Sequence, residues 1–171
     1  YGAPSDNFKV YDQYYAVHLP LTTYGKYSDN TPAFYTTIPA TQSYKQDSYG
    51  VGTNALLGTS DDGVNFKFKN VFGYLRLGIT GSKAVKSIEI SGNSNETIAG
   101  DLAFNKEAKI TSWYQNQSTS ITVDCGDGVQ LTDEPTYFYV TLPTMTFASG
   151  ISLTINFSDD TIFPQNTSKS I

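Results

Sequence analysis

The stretch 66–81, FKFKNVFGYLRLGITG, constrains the fold of this chain more than any other segment. Its apolar side chains occupy even positions up to Phe68 and mainly odd positions from Val71 onward. Alternation is typical of β-strands, because successive side chains point to opposite faces of a sheet. A one-residue change of phase would turn the core face outward, so we expect a bulge or bend at Lys69–Gly73. We expect the apolar part, Leu75–Ile79, to form a strand with neighbours on both sides.

Short alternating segments separated by turn residues recur along the rest of the chain. Phe138–Leu142 and Ile151–Phe157 alternate most clearly, whereas 61–63 and 124–128 are typical turn sequences and 39–65 is expected to be mostly loop. No window of ten residues has helical spacing free of Gly or β-branched residues. The pattern predicts an all-β fold, an antiparallel β-sandwich of about seven to ten strands with little or no helix.

The composition excludes several classes of protein. The formal net charge is −5 and the 11 basic residues are spread thinly, which argues against a nucleic-acid partner. Charged residues make up 16% of the chain, below the ~25% typical of soluble domains, so Ser, Thr, Asn and Gln must supply the polar surface, as in many extracellular β-proteins. The single cysteine, Cys125, excludes an internal disulfide and a multi-cysteine metal site.

The residues that usually perform catalysis form no recognisable pattern. The only histidine, His18, lies between Val17 and Leu19, and a pair with Cys125 would lack a third group to orient it. The acidic pairs lie in predicted turns, where either capping of the backbone or calcium binding accounts for them. Phosphate loops, zinc spacings and nucleotide motifs are absent from the sequence. We therefore expect no enzyme and no cofactor.

Tyrosines are concentrated near the start of the chain, where residues 1–49 hold nine of the 13. Tyrosine is a good strand residue that packs its ring and solvates its hydroxyl, so structural packing is one explanation. Exposed aromatic rings beside polar groups also suit contact with a glycan. The residues of the candidate ligand or partner surface are Tyr24, Tyr27, Trp113 and Tyr114.

Several segments, in this order, resemble the fimbrillin-like family of surface proteins from anaerobic Gram-negative bacteria. The resemblance covers residues 34–171, and residues 1–33 match less well. The segments that carry it are Ile38–Gln42, Phe66–Leu77, Lys86–Asn93, Ile98–Leu102, Val123–Leu131, Tyr137–Pro143 and Leu153–Asp159.

The resemblance implies a transthyretin-like β-sandwich of Greek-key type, exported as a lipid-anchored precursor and used as a stalk, tip or anchor subunit of a fimbrium. It implies no catalytic residues. Its partners would be other fimbrial subunits, joined by strand addition, and a host protein or glycan as the adhesion target. We expect residues 1–171 to be one domain, the N-terminal part of a longer surface protein that contacts the outer membrane only through a preceding lipid anchor. The alternative function is a carbohydrate-binding surface lipoprotein module in glycan uptake.

Strand addition in such a family requires a strand that can leave its own sheet. We expect this strand in the N-terminal segment Phe8–Leu19, because Val17 and Leu19 suit core positions and Pro20 marks the segment off. The candidate exchangeable strand is Tyr15, Val17 and Leu19. It should lie at the edge of a sheet, and its loss should expose an apolar groove.

Overall fold

A computed structural model describes residues 13–18, 21–26 and 32–170 of the chain. These residues form strands and no helix, so the prediction of an all-β fold is confirmed. Within the described ranges, no helix is long and apolar enough to cross a membrane. The strands are β1 (Tyr14–His18), β2 (Leu21–Lys26), β3 (Pro32–Ile38), β4 (Thr41–Ser43), β5 (Leu56–Ser60), β6 (Lys67–Asn70), β7 (Phe72–Ile79), β8 (Ala84–Gly92), β9 (Ala99–Phe104), β10 (Ile110–Ser118), β11 (Ser120–Gln130), β12 (Thr136–Pro143), β13 (Ile151–Phe157) and β14 (Ile162–Asn166).

The strands are arranged in four sheets, with the orders β1-β5-β6, β10-β9-β3-β2, β14-β13-β8-β11-β4 and β12-β7. Every pairing between these strands is antiparallel except that of β4 with β11. One hydrophobic cluster joins the sheets, with fully buried members such as Leu57, Ile88, Phe104 and Phe138. This arrangement is consistent with a β-sandwich. The Greek-key and transthyretin-like details stay predictions.

The segment 66–81 changes sheet where its alternation changes phase. β6 belongs to the sheet with β5, whereas β7 pairs with β12 in a separate sheet. The two strands are separated by Val71, which is fully buried and donates its N–H to the carbonyl of Ala55 at 2.9 Å. The expected bend at Lys69–Gly73 is therefore confirmed. The expectation that Leu75–Ile79 has neighbours on both sides is wrong, because β12 is the one described strand that pairs with β7.

The described residues form more strands than the seven to ten expected. Two of them, Thr41–Ser43 and Leu56–Ser60, lie in the region predicted to be mostly loop. The predicted turn at 124–128 is instead part of β11, which shifts its register against β8 between Asp124 and Val129. A short strand pairs through its backbone and needs little apolar alternation, so the side-chain pattern underestimates such strands.

Candidate functional site

The edge of β7 that faces away from β12 carries backbone groups directed outward. Thr141 of β12 lies opposite Tyr74 of β7, yet its N–H and C=O bond to the side chain of Gln42. Thr141 and Tyr74 therefore form a non-hydrogen-bonded antiparallel pair, in which both residues direct their N–H and C=O groups away from each other. The backbone groups of Tyr74 consequently point to the far edge of β7. Alternation places the N–H and C=O of Arg76 and Gly78 on the same edge. No described strand pairs with it.

Neighbouring edges are protected against strand addition. Gln42 is 1% exposed, and its amide donates to the carbonyl of Thr141 and accepts from the N–H of Thr141, both at 2.9 Å. One side chain therefore takes the place of a strand at the edge of β12. The edge strand β6 is exposed along its length and carries Lys67 and Lys69, charges that discourage pairing with another chain.

β14, the outermost strand of the five-stranded sheet, is interrupted by Pro164. Phe157 donates its N–H to the carbonyl of Thr161, and Thr167 donates its N–H to the carbonyl of Ile151, both at 2.9 Å. Backbone groups along a strand point alternately to its two sides, and Thr161 and Thr167 both point towards β13. Pro164, which lies three residues from each, therefore directs its nitrogen away from β13. Since proline has no N–H, the outer edge of β14 lacks a donor at its centre.

An open groove of about 470 Å³ lies between β7 and the inner face of β13 and β14. Its apolar lining includes Ile88 and Ile155, which are 0% and 7% exposed, and the half-buried Leu77 and Ile79. Phe163 lines the groove from β14 and is 50% exposed. A second hollow of about 280 Å³ shares Phe163 with the first. The groove exists because the five-stranded sheet is wider than the two-stranded sheet of β7 and β12.

β1, which contains part of the candidate exchangeable strand, lies at the edge of its sheet and pairs with β5. Tyr15 and Val17 are half-buried and pack against the core, and the ring centroid of Tyr15 lies 5.4 Å from that of Phe34. Leu19 lies outside the described residues. This edge position is what the exchange hypothesis requires, and exchange itself stays a prediction.

The residues of the candidate ligand surface do not all face the same way. Trp113 is half-buried and packs against the core, whereas Tyr114 is 43% exposed. The ring of Tyr114 instead meets that of Tyr35, with centroids 5.6 Å apart and an interplanar angle of 83°. The side chain of Tyr24 and the whole of Tyr27 lie outside the described part of the structure. Trp113 and Tyr114 therefore do not form a shared aromatic platform.

The thiol of Cys125 is buried in β11. Burial, with a contribution from the charge of Asp124, raises the pKa of the Cys125 thiol to about 12. His18 is exposed on β1, and no described contact joins it to Cys125. The thiol therefore stays protonated near neutral pH, whereas nucleophilic catalysis requires the thiolate.

The carboxylates in two predicted turns bond to their own backbone. Asp62 accepts hydrogen bonds from the N–H groups of Asn65 and Val64, at 2.8 and 2.9 Å, and these bonds hold the pKa of its carboxyl well below the usual range. Hydrogen bonds from Thr161 and Lys83 lower the pKa of Asp159 to about 2. Of the two alternatives for these turns, these contacts are those expected for capping of the backbone. In the described part of the chain, no group of three His, Cys, Asp or Glu side chains could hold a metal ion.

The groove was missed by sequence reasoning because its parts are far apart along the chain. The lining segments from β7 and β13 show ordinary strand alternation, and alternation does not tell which strands become neighbours. One local signal was available in Ile162-Phe163-Pro164, where two large apolar residues precede a proline. Proline in a strand is typical of an exposed edge, so this motif indicates apolar side chains near the border of a sheet.

A comparison of the chain with protein-family models found no matching family, and a comparison with curated proteins found no match.

Proposed function

We propose that this chain is a non-enzymatic module of the bacterial cell surface, which joins other fimbrial subunits by strand addition and acts in adhesion. The open edge of β7 beside the apolar groove is the observation that carries this proposal. The similarity to fimbrillin-like segments and the low content of charged residues support the same function. The proposal places the module outside the cell, on the outer membrane or in a fimbrium.

An incoming strand would gain two kinds of interaction at this site. Its backbone would pair with the outward N–H and C=O groups of Arg76 and Gly78, and alternate side chains would enter the groove over Ile88 and Ile155. Backbone pairing supplies affinity in this mode of recognition, and the fit of alternate side chains supplies specificity. The charge of Arg76 does not block this edge, because its guanidinium packs over the ring of Tyr137 on the neighbouring strand β12, 4.7 Å from the ring centroid.

The strand that enters this groove must present apolar side chains at every second position. The segment 13–19 of this chain, QYYAVHL, meets the requirement with Tyr15, Val17 and Leu19. In its own subunit β1 is an edge strand with half-buried side chains, so it loses fewer contacts on leaving than a central strand would. We therefore propose an N-terminal strand of this type, from a neighbouring subunit, as the partner.

A peptide-binding experiment tests the proposal. A synthetic peptide of residues 13–19 is titrated into the isotope-labelled chain, and backbone amide shifts are followed by NMR. We expect the largest shifts at Arg76 and Gly78, because their N–H groups gain the new hydrogen bonds. Phe163→Ala should weaken binding about tenfold, since it removes an aromatic wall of the groove. A peptide with Ser in place of Val17 and Leu19 should not bind.

The matched control variant is Phe68→Ala. Phe68 is 53% exposed, similar to Phe163 at 50%, but it lies on β6, away from the groove. Binding should therefore be unchanged in this variant. The proposal fails if the peptide shifts only residues of β5, the strand that β1 already pairs with, or if both phenylalanine variants weaken binding equally.

A further inference from the structure

The outer face of the sheet β10-β9-β3-β2 combines a pair of aromatic rings with a group of polar side chains. Tyr35 of β3 lies opposite Ala103 of β9, which in turn lies opposite Ser112 of β10. The rings of Tyr35 and Tyr114 meet edge to face on this surface. Tyr114 is 43% exposed, so part of its ring is accessible to a ligand.

Asp101 forms the polar part of this surface. It lies opposite Thr37 of β3. Thr37 is two residues from Tyr35 along the same strand, a separation of about 6.6 Å. The hydroxyl of Thr37 donates to Oδ1 of Asp101 at 2.5 Å, and Nδ2 of Asn116 donates to Oδ2 at 2.6 Å. A carboxylate offers about four acceptor positions. Among the described contacts two are used, so Asp101 can accept two more hydrogen bonds.

The backbone holds Asn116 in the position from which it reaches Asp101. β10 shifts its register against β9 on both sides of Gln115, and Asn116 adopts the left-handed conformation with φ of 51°. Gly100 lies beneath this bulge with φ of 130°, and a Cβ there would lie 2.9 Å from the carbonyl oxygens of Gln115 and Asn116. Bulges of this kind re-aim side chains and are frequent next to functional sites.

We propose that this face, built from Tyr35, Tyr114, Thr37, Asp101 and Asn116, binds a neutral glycan. The C–H face of a sugar ring packs on the exposed tyrosine ring, and two hydroxyls of the sugar donate to the remaining acceptor positions of Asp101. The ligand is neutral because an acidic sugar would meet the charge of Asp101 and the net charge of −5. One exposed ring and one carboxylate provide few contacts, so the dissociation constant should be about millimolar.

This site is independent of strand addition, since it lies on a different sheet from β7. Its test uses the whole chain and three neutral probes, cellohexaose, mannohexaose and lacto-N-tetraose, each titrated to about 10 mM with detection by NMR. At least one probe should shift the amide signals of Asp101, Tyr114 and Asn116. Asp101→Asn, which keeps the size of the side chain but removes acceptor positions, should weaken that binding about tenfold.

Tyr114→Ala should abolish binding, whereas Tyr137→Ala is the matched control. Tyr137 is a 36% exposed tyrosine on β12, outside this face, and its loss should leave the affinity unchanged. Thermal unfolding of each variant shows whether the fold is kept, and Asp101→Asn serves as the second variant if Tyr114→Ala does not fold. The proposal is overturned if none of the three probes binds, or if bound probes tolerate both Asp101→Asn and Tyr114→Ala.

Discussion

The buried amide of Gln42 offers a sensitive test of how the two-stranded sheet is completed. Gln42 replaces a strand at the edge of β12, through two hydrogen bonds of 2.9 Å to the backbone of Thr141. The hydroxyl of Thr141 in turn donates to that of Thr53 at 3.0 Å, and the hydroxyl of Thr53 donates to the carbonyl of Gly50 at 2.8 Å. Gln42, Thr53 and Thr141 are each 2% exposed or less, so water cannot readily replace these bonds.

Gln42→Leu removes both partners of Thr141 while keeping a side chain of similar size. An unsatisfied buried backbone group costs about 1 to 3 kcal/mol, and two such groups are created here. The added apolar burial of leucine offsets part of this cost. We therefore expect the free energy of unfolding to fall by about 2 to 4 kcal/mol at neutral pH.

Gln42→Glu should make the stability depend on pH. Burial raises the pKa of a carboxyl at this position above the unfolded value of about 4.3, because the charged form is desolvated. Below that value the glutamate is protonated in both states and the variant is closest to the wild type. As the pH rises above it, the unfolded state loses the proton first, so the variant should lose up to about 3.5 kcal/mol between pH 4 and 7.

Urea unfolding followed by tryptophan fluorescence measures these differences, with each variant compared with the wild type at the same pH. Gln130→Leu is the control, since Gln130 also donates to two carbonyls but is exposed, so water can replace its bonds. It should cost no more than about 0.5 kcal/mol. The reasoning is refuted if Gln42→Leu is as mild as the control, or if the penalty of Gln42→Glu is the same at pH 4 and pH 7.

Three further predictions concern stability, assembly and reactivity. Leu77→Ala should lower the free energy of unfolding by about 1 to 2 kcal/mol, because Leu77 is half-buried, whereas Phe138→Ala, at a site with 0% exposure, should lower it by about 3 to 5 kcal/mol. Thr80→Ala should change it little. If chemical denaturation finds equal effects at all three sites, the register of β7 is wrong. A chain that starts at Thr22 lacks β1 and should self-associate or aggregate in size-exclusion chromatography, and a folded, soluble monomer would exclude the exchange hypothesis. Native Cys125 should react with a disulfide reagent at pH 8 at least about tenfold more slowly than in urea, since burial raises its pKa to about 12, and comparable rates would contradict its burial.

The sequence predicts strands more reliably than it predicts their neighbours. Alternation identified β7, β12 and β13, because each has one face towards the core. The change of phase in 66–81 correctly predicted a bulge or bend, but it did not reveal that the chain passes from one sheet to another at Val71. A bulge within one sheet and a change of sheet produce the same local pattern. The partner of each strand depends on contacts between distant segments, which one sequence does not reveal.

The candidate site illustrates the same limit. Trp113 and Tyr114 are adjacent in a strand, and adjacent strand residues face opposite sides, so the sequence alone could have separated them. The pairing of Tyr114 with Tyr35 could not be predicted, because it depends on the register of β3, β9 and β10. Asn116 is still harder to foresee, since its position depends on a bulge. Long-range register therefore determined which predicted residues could act together.

Pro164 leaves β7 as the acceptor among the two strands that border the groove. β14 and β7 lie on either side of one groove, but the missing N–H of Pro164 closes the outer edge of β14 to a further strand while the edge of β7 stays open. When β1 of one module pairs with the edge of β7 in another, the two modules contribute different surfaces, so this pairing is not two-fold symmetric. Their contact is heterologous, with the donor surface of one module on the acceptor surface of the next, and such contacts propagate into a polar filament unless the rotation between modules closes a ring.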